Sequence, residues 1–505
     1  MAGPRDSGIL LHPTSLPGPF GIGDLGHSVD EFIDFLAESG QSWWQILPLG
    51  PTGGTHSPYQ SPSSHAGSPL LISPDLLREQ GLISARDLDD YPRLPEGVAS
   101  YDRVEKAKNR LFKRAYRAFP KDSTELNDFR ARNATWLEDF ALYMALKAAH
   151  GGRPWMDWEP ELSRREPAAL DRWRKRHADA LRLIVFEQFL FDQQWRRVRE
   201  LCRSRGIRLI GDLPIYVSED GAEAWARREL FLIGPKGKLD VVAGVPPDDF
   251  SKSGQRWGNP LYDWDAHARE DFRWWIDRLR GTLVRVDRVR FDHFIGLVKY
   301  YKIPGRYKTA KVYTREHGPG AAFLEAVQRG IPDLPLIAED LGLLDEETVR
   351  LRDQFQLPGM RVLQFVGVTP GGRLEGPHLP ENYPENCIAY TGTHDNNTVV
   401  GWLDSLPGRR RGRISERQAV LDYLKGDGEP FHWAAIRRVL GTKAKTAIVP
   451  LQDVLGLGEP ARMNLPGKVG YWTWRCLPGG LDVKLRERLR AGTLEAGRQA
   501  SASAG

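Results

Sequence analysis

Three acidic residues, Asp292, Glu339 and Asp395, each stand where a short apolar run gives way to polar residues. The surrounding segments are VRFDHF, LIAEDLG and AYTGTHDNNT. Each run has the character of a buried strand, with the acid at its C-terminal end. In a parallel α/β barrel those ends open on one face, where active sites are built. Cleavage of a glycosidic bond needs two carboxylates in opposite protonation states, so this pattern indicates carbohydrate chemistry.

The neighbours of two of the acids suggest how their protonation is set. Arg290 and Asp292 are two apart in a strand and face the same side, so the guanidinium is expected to lower the pKa of Asp292. A structural Arg–Asp pair would look the same in sequence. Glu339 follows three apolar residues, which favours a raised pKa and a proton on that carboxyl. Asp340 points the other way in an ideal strand, as a structural partner would.

The third segment is the most polar, and it predicts contacts to a ligand. His394 and Asp395 together suit vicinal hydroxyls, which they can hold by charge-assisted hydrogen bonds. A metal site is the alternative for His and Asp, but no further cluster has ligand spacing, so we predict no metal and no cofactor. Asp212, in IGDLPIY, is predicted to be a fourth inward carboxylate.

Two loops rich in Gly and Pro are predicted to rim the same face. Residues 50–67 carry Tyr59, and residues 242–264 carry Gln255 and Trp257. Aromatic and amide side chains around a barrel mouth are what a sugar-binding cleft requires, although loops of this kind are often mere connections. The high aromatic content of 16 Trp, 15 Tyr and 19 Phe fits either a cleft or a core.

The elements that must position these residues are strands alternating with helices. The helical patterns include residues 28–39, 183–205 and 268–283, and the first ends before Gly40. Eight strands alternating with helices predict an α/β fold, a (β/α)8 TIM barrel. The eight strand-like runs are residues 8–12, 43–49, 207–217, 289–295, 335–341, 360–365, 387–395 and 446–453.

The uneven spacing of the runs predicts insertions into a single catalytic barrel spanning residues 1–495. Residues 75–180 form a largely helical inserted subdomain in this interpretation. Residues 218–266 form an inserted loop subdomain at the barrel mouth, and residues 302–332 a small insertion. The small and polar residues 496–505 are predicted to be a disordered tail.

Composition excludes several classes of protein. The net charge of +5 is small for 505 residues, and the basic runs at 172–177 and 408–413 lack any nucleic-acid motif, so we predict no nucleic-acid partner. No apolar stretch is long enough to span a membrane, and no secretory signal is visible. Three widely spaced cysteines argue against disulfides. We therefore predict a cytoplasmic protein, as a monomer.

The chain resembles the amylomaltases, or 4-α-glucanotransferases, of glycoside hydrolase family 77. The resemblance is carried in order from residue 12 to about residue 476, and the SPYQSPS and GQRWGNPLYDW segments are its most particular parts. The matching segments are HPTSLPGPFGIGDLG, WWQILPLGPTG, SPYQSPSSHAGSPLLI, GDLPIYVSEDGAEAW, VAGVPPDDFSKSGQRWGNPLYDW, RFDHFIGL, LIAEDLG, YTGTHDNNT and LQDVLGLGEPARMNLPG.

The resemblance implies a role for each residue in turn. Asp292 would be the nucleophile, Glu339 the general acid/base, and Asp395 a third carboxylate that binds the donor sugar and stabilises its distorted form. Two sets of side chains would bind the glucan: around the donor sugar Arg290, His293 and His394, and along the cleft Tyr59, Asp212, Gln255, Trp257 and Asn464. Two differences from the family pattern, Asn397 in place of Asp and the segment 468–475, do not touch the three acids.

The activity implied is transfer of α-1,4-glucan segments between maltooligosaccharides or starch-type glucans, with net retention. The partners would be glucan donors and acceptors, including glucose, and whether cyclic glucans form stays open. An α-amylase-type hydrolase using the same acids is the main alternative. A catalytically silent glycan-binding protein is a second one, and the intact set of three acids argues against it.

Overall fold

The computed structural model describes residues 5–120, 122–235, 237–247, 252–342, 344–408, 414–425 and 428–498. Most of the predicted basic run 408–413 therefore lies outside the described residues. Eight parallel strands, one within or overlapping each predicted run, form the centre of the fold. We number them β1 (Asp6–Leu10), β2 (Trp43–Gln45), β3 (Arg208–Pro214), β4 (Arg288–Asp292), β5 (Leu336–Ala338), β6 (Gly359–Val362), β7 (Cys387–Tyr390) and β8 (Thr446–Pro450).

The strands follow one another around a nearly closed barrel. Their order is β5-β4-β3-β2-β1-β8-β7-β6, and each hydrogen-bonded pair is parallel. The ring closes between β5 and β6, where the Ala338 amide donates to the Pro358 carbonyl at 2.9 Å. The Met360 amide donates to the Asp340 carboxylate at 2.6 Å, and Arg352 pairs with the same carboxylate at 2.5 Å. The predicted (β/α)8 barrel is confirmed, and Asp340 closes its seam directly beside Glu339.

The lower half of the barrel interior is filled around Trp43. A Cβ atom on Gly8 would lie 2.2 Å from the Trp43 carbonyl oxygen, so only glycine fits against the backbone of β2 here. The Trp43 indole donates to Asp6 at 2.9 Å, and the Arg208 guanidinium lies 4.0 Å from the centre of its ring. Apolar side chains from the surrounding strands complete this inner layer. The polar ends of the strands therefore lie at the opposite mouth of the barrel.

Helices form the outer layer. The prediction for residues 268–283 needs correction, because Asp271 and Phe272 have φ of 51° and 52° and separate two helices there. The α-helices are His27–Glu38, Pro74–Glu79, Ala85–Asp89, Tyr101–Ala118, Thr124–Arg132, Leu137–Ala149, Pro160–Ser163, Pro167–Arg176, Ala178–Ser204, Ala222–Ala226, Trp264–Arg269, Arg273–Leu283, Gly320–Gly330, Glu346–Gln354, Val399–Ser405, Glu416–Leu424, Phe431–Leu440, Leu451–Val454 and Val483–Glu495.

The segment between β2 and β3 holds a mouth loop in place. Its last helix, Ala178–Ser204, is 27 residues long and carries two buried glutamines. Gln188 exchanges hydrogen bonds with the Gly67 amide and carbonyl at 2.8 and 2.9 Å. Gln194 accepts from the Ser73 amide at 2.7 Å. Because each amide side chain satisfies buried backbone groups, the loop that carries Tyr59 is tied to the helix at two points.

Short strands lie in the two later insertions. Val241–Val242 pairs with Lys299–Pro304, which in turn pairs with Thr314–His317, and Gly244–Val245 pairs with Gln255–Arg256. The predicted third insertion, 302–332, extends too far at its end. The helix Gly320–Gly330 belongs to the barrel wall, because its Phe323 packs on Trp275 and on Phe291 of β4 at 5.4 and 6.1 Å.

The predicted disordered tail begins too early. Arg498 is buried and donates to the carbonyls of Leu440, Asp6 and Thr442 at 2.6, 2.7 and 3.0 Å, so burial and hydrogen bonding order the chain to this point. Residues 499–505 lie outside the described residues. Among the helices of the described chain, none is both long and apolar enough to cross a membrane.

Candidate active site

The four predicted carboxylates all lie at the C-terminal ends of barrel strands. Asp212 lies within β3 and Asp292 ends β4. Glu339 follows β5 directly, and Asp395 lies in the turn after β7. Since the strands are parallel, these ends share one mouth of the barrel. The structure therefore brings together residues that are up to 183 positions apart in the chain.

Arg290 links two of the acids. Its side chain is 3% exposed and binds both Asp212 carboxylate oxygens at 2.7 and 2.8 Å. Its other terminal nitrogen binds Asp292 at 2.9 Å. Residues 290 and 292 face the same side of β4, as their spacing predicts. The Asp292 side chain keeps 26% exposure, so it is the member of this group that can meet a ligand.

Glu339 is fixed by the backbone on either side of it. Its carboxylate accepts from the His293 amide at 2.8 Å and from the Leu341 amide at 3.0 Å. His293 has φ of 54°, a left-handed conformation that is uncommon outside glycine and turns this N–H toward Glu339. Because His293 directly follows Asp292, this hydrogen bond joins Glu339 to the end of the strand that carries Asp292.

The electrostatics of this pair differ from the sequence prediction in one respect. Burial raises the pKa of Asp292, and although Arg290 opposes that shift, it does not reverse it. The prediction that Arg290 sets a lowered pKa for Asp292 is thus wrong, because desolvation and the nearby carboxylates outweigh one guanidinium. Burial also raises the pKa of Glu339, in the predicted direction.

The pKa of Asp395 is shifted in the opposite direction. Burial disfavours its charge, but contact with His394 at 3.3 Å and a 2.6 Å hydrogen bond from the Asn464 amide hold its pKa below the ordinary range. The pKa of His394 is raised, because the attraction of Asp395 outweighs the burial of the imidazole. This mouth therefore holds an ionised carboxylate beside two whose protonation is favoured.

One wall of the mouth is aromatic. The Tyr59 ring stacks on His394, with centroids 5.1 Å apart and planes at 13°. Trp472 lies 5.8 Å from Tyr59 and 6.0 Å from His394. The Tyr59 hydroxyl donates to Asp212 at 2.6 Å. The Asp212 side chain itself is fully buried, so the prediction that it lines the cleft needs correction: it reaches the mouth through Tyr59 and Arg290.

The remaining predicted residues lie on the other side of His293. The Trp257 ring meets the His293 ring edge to face at 4.8 Å. The Trp257 indole donates to the Gln255 side-chain oxygen at 3.2 Å. Contacts thus connect these residues to the strand that carries Asp292. All the predicted site residues belong to one set at the barrel mouth.

Sequence reasoning missed two residues at this mouth. Trp472, in the segment that differs from the family pattern, has φ of 71° and completes the aromatic wall. Arg462 donates to the backbone carbonyls of Asp395 and Asn464 at 2.7 and 2.6 Å. The only signal for Arg462 in the sequence is its place two residues before Asn464. In the described parts of the chain, no group of three or more His, Cys, Asp or Glu side chains has a metal-binding arrangement.

Comparison with known proteins agrees with this geometry. Residues 11–479 match the sequence profile of glycoside hydrolase family 77, described as 4-alpha-glucanotransferase. The chain belongs to this family. A 4-alpha-glucanotransferase of Thermus thermophilus is 44% identical over 496 residues, which cover 97% of this chain and 98% of that relative. One from Synechocystis is 44% identical over 492 residues, covering 95% and 96%.

The chain also shares its fold with a solved structure of this family. The structure of amylomaltase from Streptococcus agalactiae in complex with acarbose matches with a TM-score of 0.94 at 36% identity. The match covers 98% of this chain and 100% of that one. The 4-alpha-glucanotransferase assignment and the barrel predicted from sequence are both confirmed, whereas the roles of single residues stay predictions.

Proposed function

We propose that this 4-alpha-glucanotransferase moves α-1,4-glucan segments between maltooligosaccharide or starch-type chains by a retaining double displacement. Asp292 is the nucleophile and Glu339 the general acid/base. The observation that carries the proposal is the hydrogen bond from the His293 amide to Glu339, which ties this carboxyl to the residue that follows Asp292 at the barrel mouth. Retention further requires the two carboxyl groups to lie about 5 to 5.5 Å apart.

Arg290 favours the charged form of Asp292. Burial raises the pKa of both acids, and repulsion from Glu339 adds to the shift at Asp292, so the pair holds a proton more readily than two free carboxyls. Arg290 binds Asp292 directly at 2.9 Å, which stabilises the Asp292 anion. We therefore assign the shared proton to Glu339. Each Glu339 oxygen uses one acceptor position for a backbone N–H and keeps another that can carry the proton.

In the first displacement an Asp292 oxygen attacks the anomeric carbon of the donor sugar. The bond from that carbon to the glycosidic oxygen breaks, and Glu339 gives its proton to this departing oxygen. The products are a glycosyl ester on Asp292, an ionised Glu339 and a shortened glucan with a free 4-hydroxyl. Ionised Asp395 and His394, whose pKa is raised by Asp395, hold donor-sugar hydroxyls and favour the distorted ring of the transition state.

In the second displacement Glu339 takes the proton of an acceptor's 4-hydroxyl. The acceptor oxygen attacks the anomeric carbon, and the ester to Asp292 breaks. Asp292 is ionised and Glu339 protonated again, so the cycle is closed without a cofactor. Two inversions at one carbon give net retention.

Transfer instead of hydrolysis requires that an acceptor sugar outcompete water. Aromatic rings on both sides of the acids support this, namely Tyr59, which is backed by the buried Trp472, and Trp257 with His293. Flat rings bind the apolar faces of sugars and displace water from the ester. Gln255, beside Trp257, and Asn464, beside Asp395, supply hydrogen bonds for glucan hydroxyls.

Incubation with maltotriose tests the proposal. Transfer yields glucose together with maltodextrins longer than the substrate, which chromatography resolves. Glucose and maltose without longer products would mean an α-amylase-type hydrolase. Binding of maltodextrin with no turnover would mean a silent glycan-binding protein.

We also propose a monomer in the cytoplasm, with no nucleic-acid or membrane partner. The three cysteines, Cys202, Cys387 and Cys476, are free and buried, which suits a reducing compartment. Size-exclusion chromatography with light scattering tests the monomer, for which the expected mass is 57.0 kDa. The helical segment 75–180 is proposed to support the Tyr59 loop, because its Tyr101 stacks on His56 and its Trp136 on His65, with ring centroids 4.3 and 5.9 Å apart.

A further inference from the structure

Asp395, Arg462 and Asn464 form a ring of hydrogen bonds. The Asn464 side-chain amide donates to the Asp395 carboxylate at 2.6 Å. The Arg462 guanidinium donates through one terminal nitrogen to the Asp395 carbonyl at 2.7 Å, and through Nε to the Asn464 carbonyl at 2.6 Å. Arg462 therefore joins the backbones of the two residues whose side chains meet.

The ring joins two separate parts of the chain. Asp395 follows β7, whereas Asn464 lies in the loop after β8. The two residues are 69 positions apart. A loop pair of this kind is mobile unless contacts across it define its geometry. Two hydrogen bonds from one planar guanidinium define both the distance and the angle between the loops.

The contacts of Arg462 go to backbone carbonyls, so it acts through other residues. Burial lowers the pKa of Arg462, and nearby Asp395 opposes that shift. Its guanidinium binds the Asp395 carbonyl, whereas the Asp395 side chain keeps 40% exposure. The Asp395 carboxylate thus stays available to a sugar, while Arg462 binds the Asp395 backbone.

We propose that Arg462 is a positioning residue of the transfer reaction, which fixes Asp395 and Asn464 relative to each other so that Asp395 stays aligned with the donor sugar. This rests on the proposed role of Asp395. Misplacement of a catalytic group by about 1 Å is enough to lower a rate about 100-fold.

A graded pair of substitutions tests the proposal. Arg462→Met removes both hydrogen bonds, and kcat for maltotriose disproportionation is expected to fall about 100-fold. Arg462→Lys keeps the charge and a donor but not the rigid fork, so kcat should fall about 10-fold, a partial rescue relative to Met. KM should change less than kcat for both variants, because the glucan contacts proposed for Tyr59, Gln255 and Trp257 are unaltered.

Arg498→Lys is the matched control. Arg498 also binds backbone carbonyls, but it does so at the opposite end of the barrel. This change should lower the melting temperature and leave kcat within about twofold. If Arg462→Lys and Arg498→Lys lowered kcat equally, or if Arg462→Met kept wild-type kcat, the proposal would be overturned.

A double-mutant cycle adds a measurement that a purely structural role would not move. With Asn464→Ala already present, Arg462→Lys should reduce kcat by clearly less than it does alone, because the aligned pair is already broken. Effects that simply multiply would overturn the proposal. Should Arg462→Met not fold, the lysine variant and this cycle still decide the question. A wild-type enzyme that makes no longer maltodextrins would refute the proposed function instead, whatever the variants do.

Discussion

Replacing Asp212 by Asn should shift the pH dependence of the reaction without touching a reacting group. Asp212 is fully buried and binds Arg290, whose other terminal nitrogen binds Asp292. Its negative charge is one cause of the raised pKa of Asp292. The asparagine removes that charge and frees Arg290 to neutralise Asp292 more completely. The pKa of Asp292 must then fall.

The geometry sets the size of this shift. Contacts of 2.7 Å to Asp212 and 2.9 Å to Asp292 on one guanidinium place the two carboxylates within reach of strong repulsion. At about 6 Å and an effective dielectric constant of about 20, two unit charges interact by about 2.8 kcal/mol, or roughly two pKa units. Partial exposure of Asp292 screens part of that, so we expect a shift of about one unit.

The sign of the effect on activity follows from the mechanism. The reaction needs ionised Asp292, so activity is lost as pH falls through the lower apparent pKa of the Asp292–Glu339 pair. A lower pKa moves that acidic limb to lower pH. The profile of kcat/KM against pH, measured by glucose release from maltotriose, reports the limb. We also expect a lower kcat, because a less basic carboxylate is a weaker nucleophile.

Asp6→Asn is the matched control for this experiment. Asp6 is also a buried carboxylate inside the barrel, paired with Arg208 at 2.7 Å, but it lies at the opposite end. Both variants should lose stability, whereas only Asp212→Asn should move the acidic limb. A limb that stays in place or moves to higher pH in folded Asp212→Asn would refute the proposed coupling through Arg290.

Three further predictions concern the acids, the core and the barrel seam. Asp292→Asn and Glu339→Gln should each lose nearly all turnover of maltotriose, while the melting temperature stays near that of wild type. Substantial activity in Asp292→Asn would mean that the nucleophile is another group. Gly8→Ala should destabilise the protein by about 3 kcal/mol or more in urea unfolding, because the new Cβ would lie 2.5 Å from the Cβ of Trp43. The control Gly54→Ala should be tolerated, because no atom lies within 4 Å of the new Cβ. Asp340→Asn should lower the free energy of unfolding by about 3 kcal/mol, because it breaks the buried pair with Arg352 at the seam. It should also reduce kcat through the neighbouring Glu339. An unchanged free energy of unfolding would show that the seam does not depend on this carboxylate.

Local pattern in the sequence determined the architecture and the identity of the acids. Apolar runs predicted all eight strands, and acids at the ends of several of them predicted the active mouth, since a buried parallel strand must be apolar along its length and its polar end must reach the mouth. The two-residue period of β4 predicted that Arg290 and Asp292 share a face. Resemblance to a family then implied the role of each site residue and added His293 and Asn464. These features could be predicted because each depends on a few consecutive residues.

Only the tertiary structure decided how these residues act on one another. The pKa of Asp292 depends on the sum of burial and of charges from β3, β5 and the turn after β7, and no local segment contains that sum. The burial of Asp212 and the closure of the seam by Asp340 depend on strands that are distant in the chain. Arg462 contacts backbone carbonyls, which every residue has, so no residue pattern marks its partners in advance.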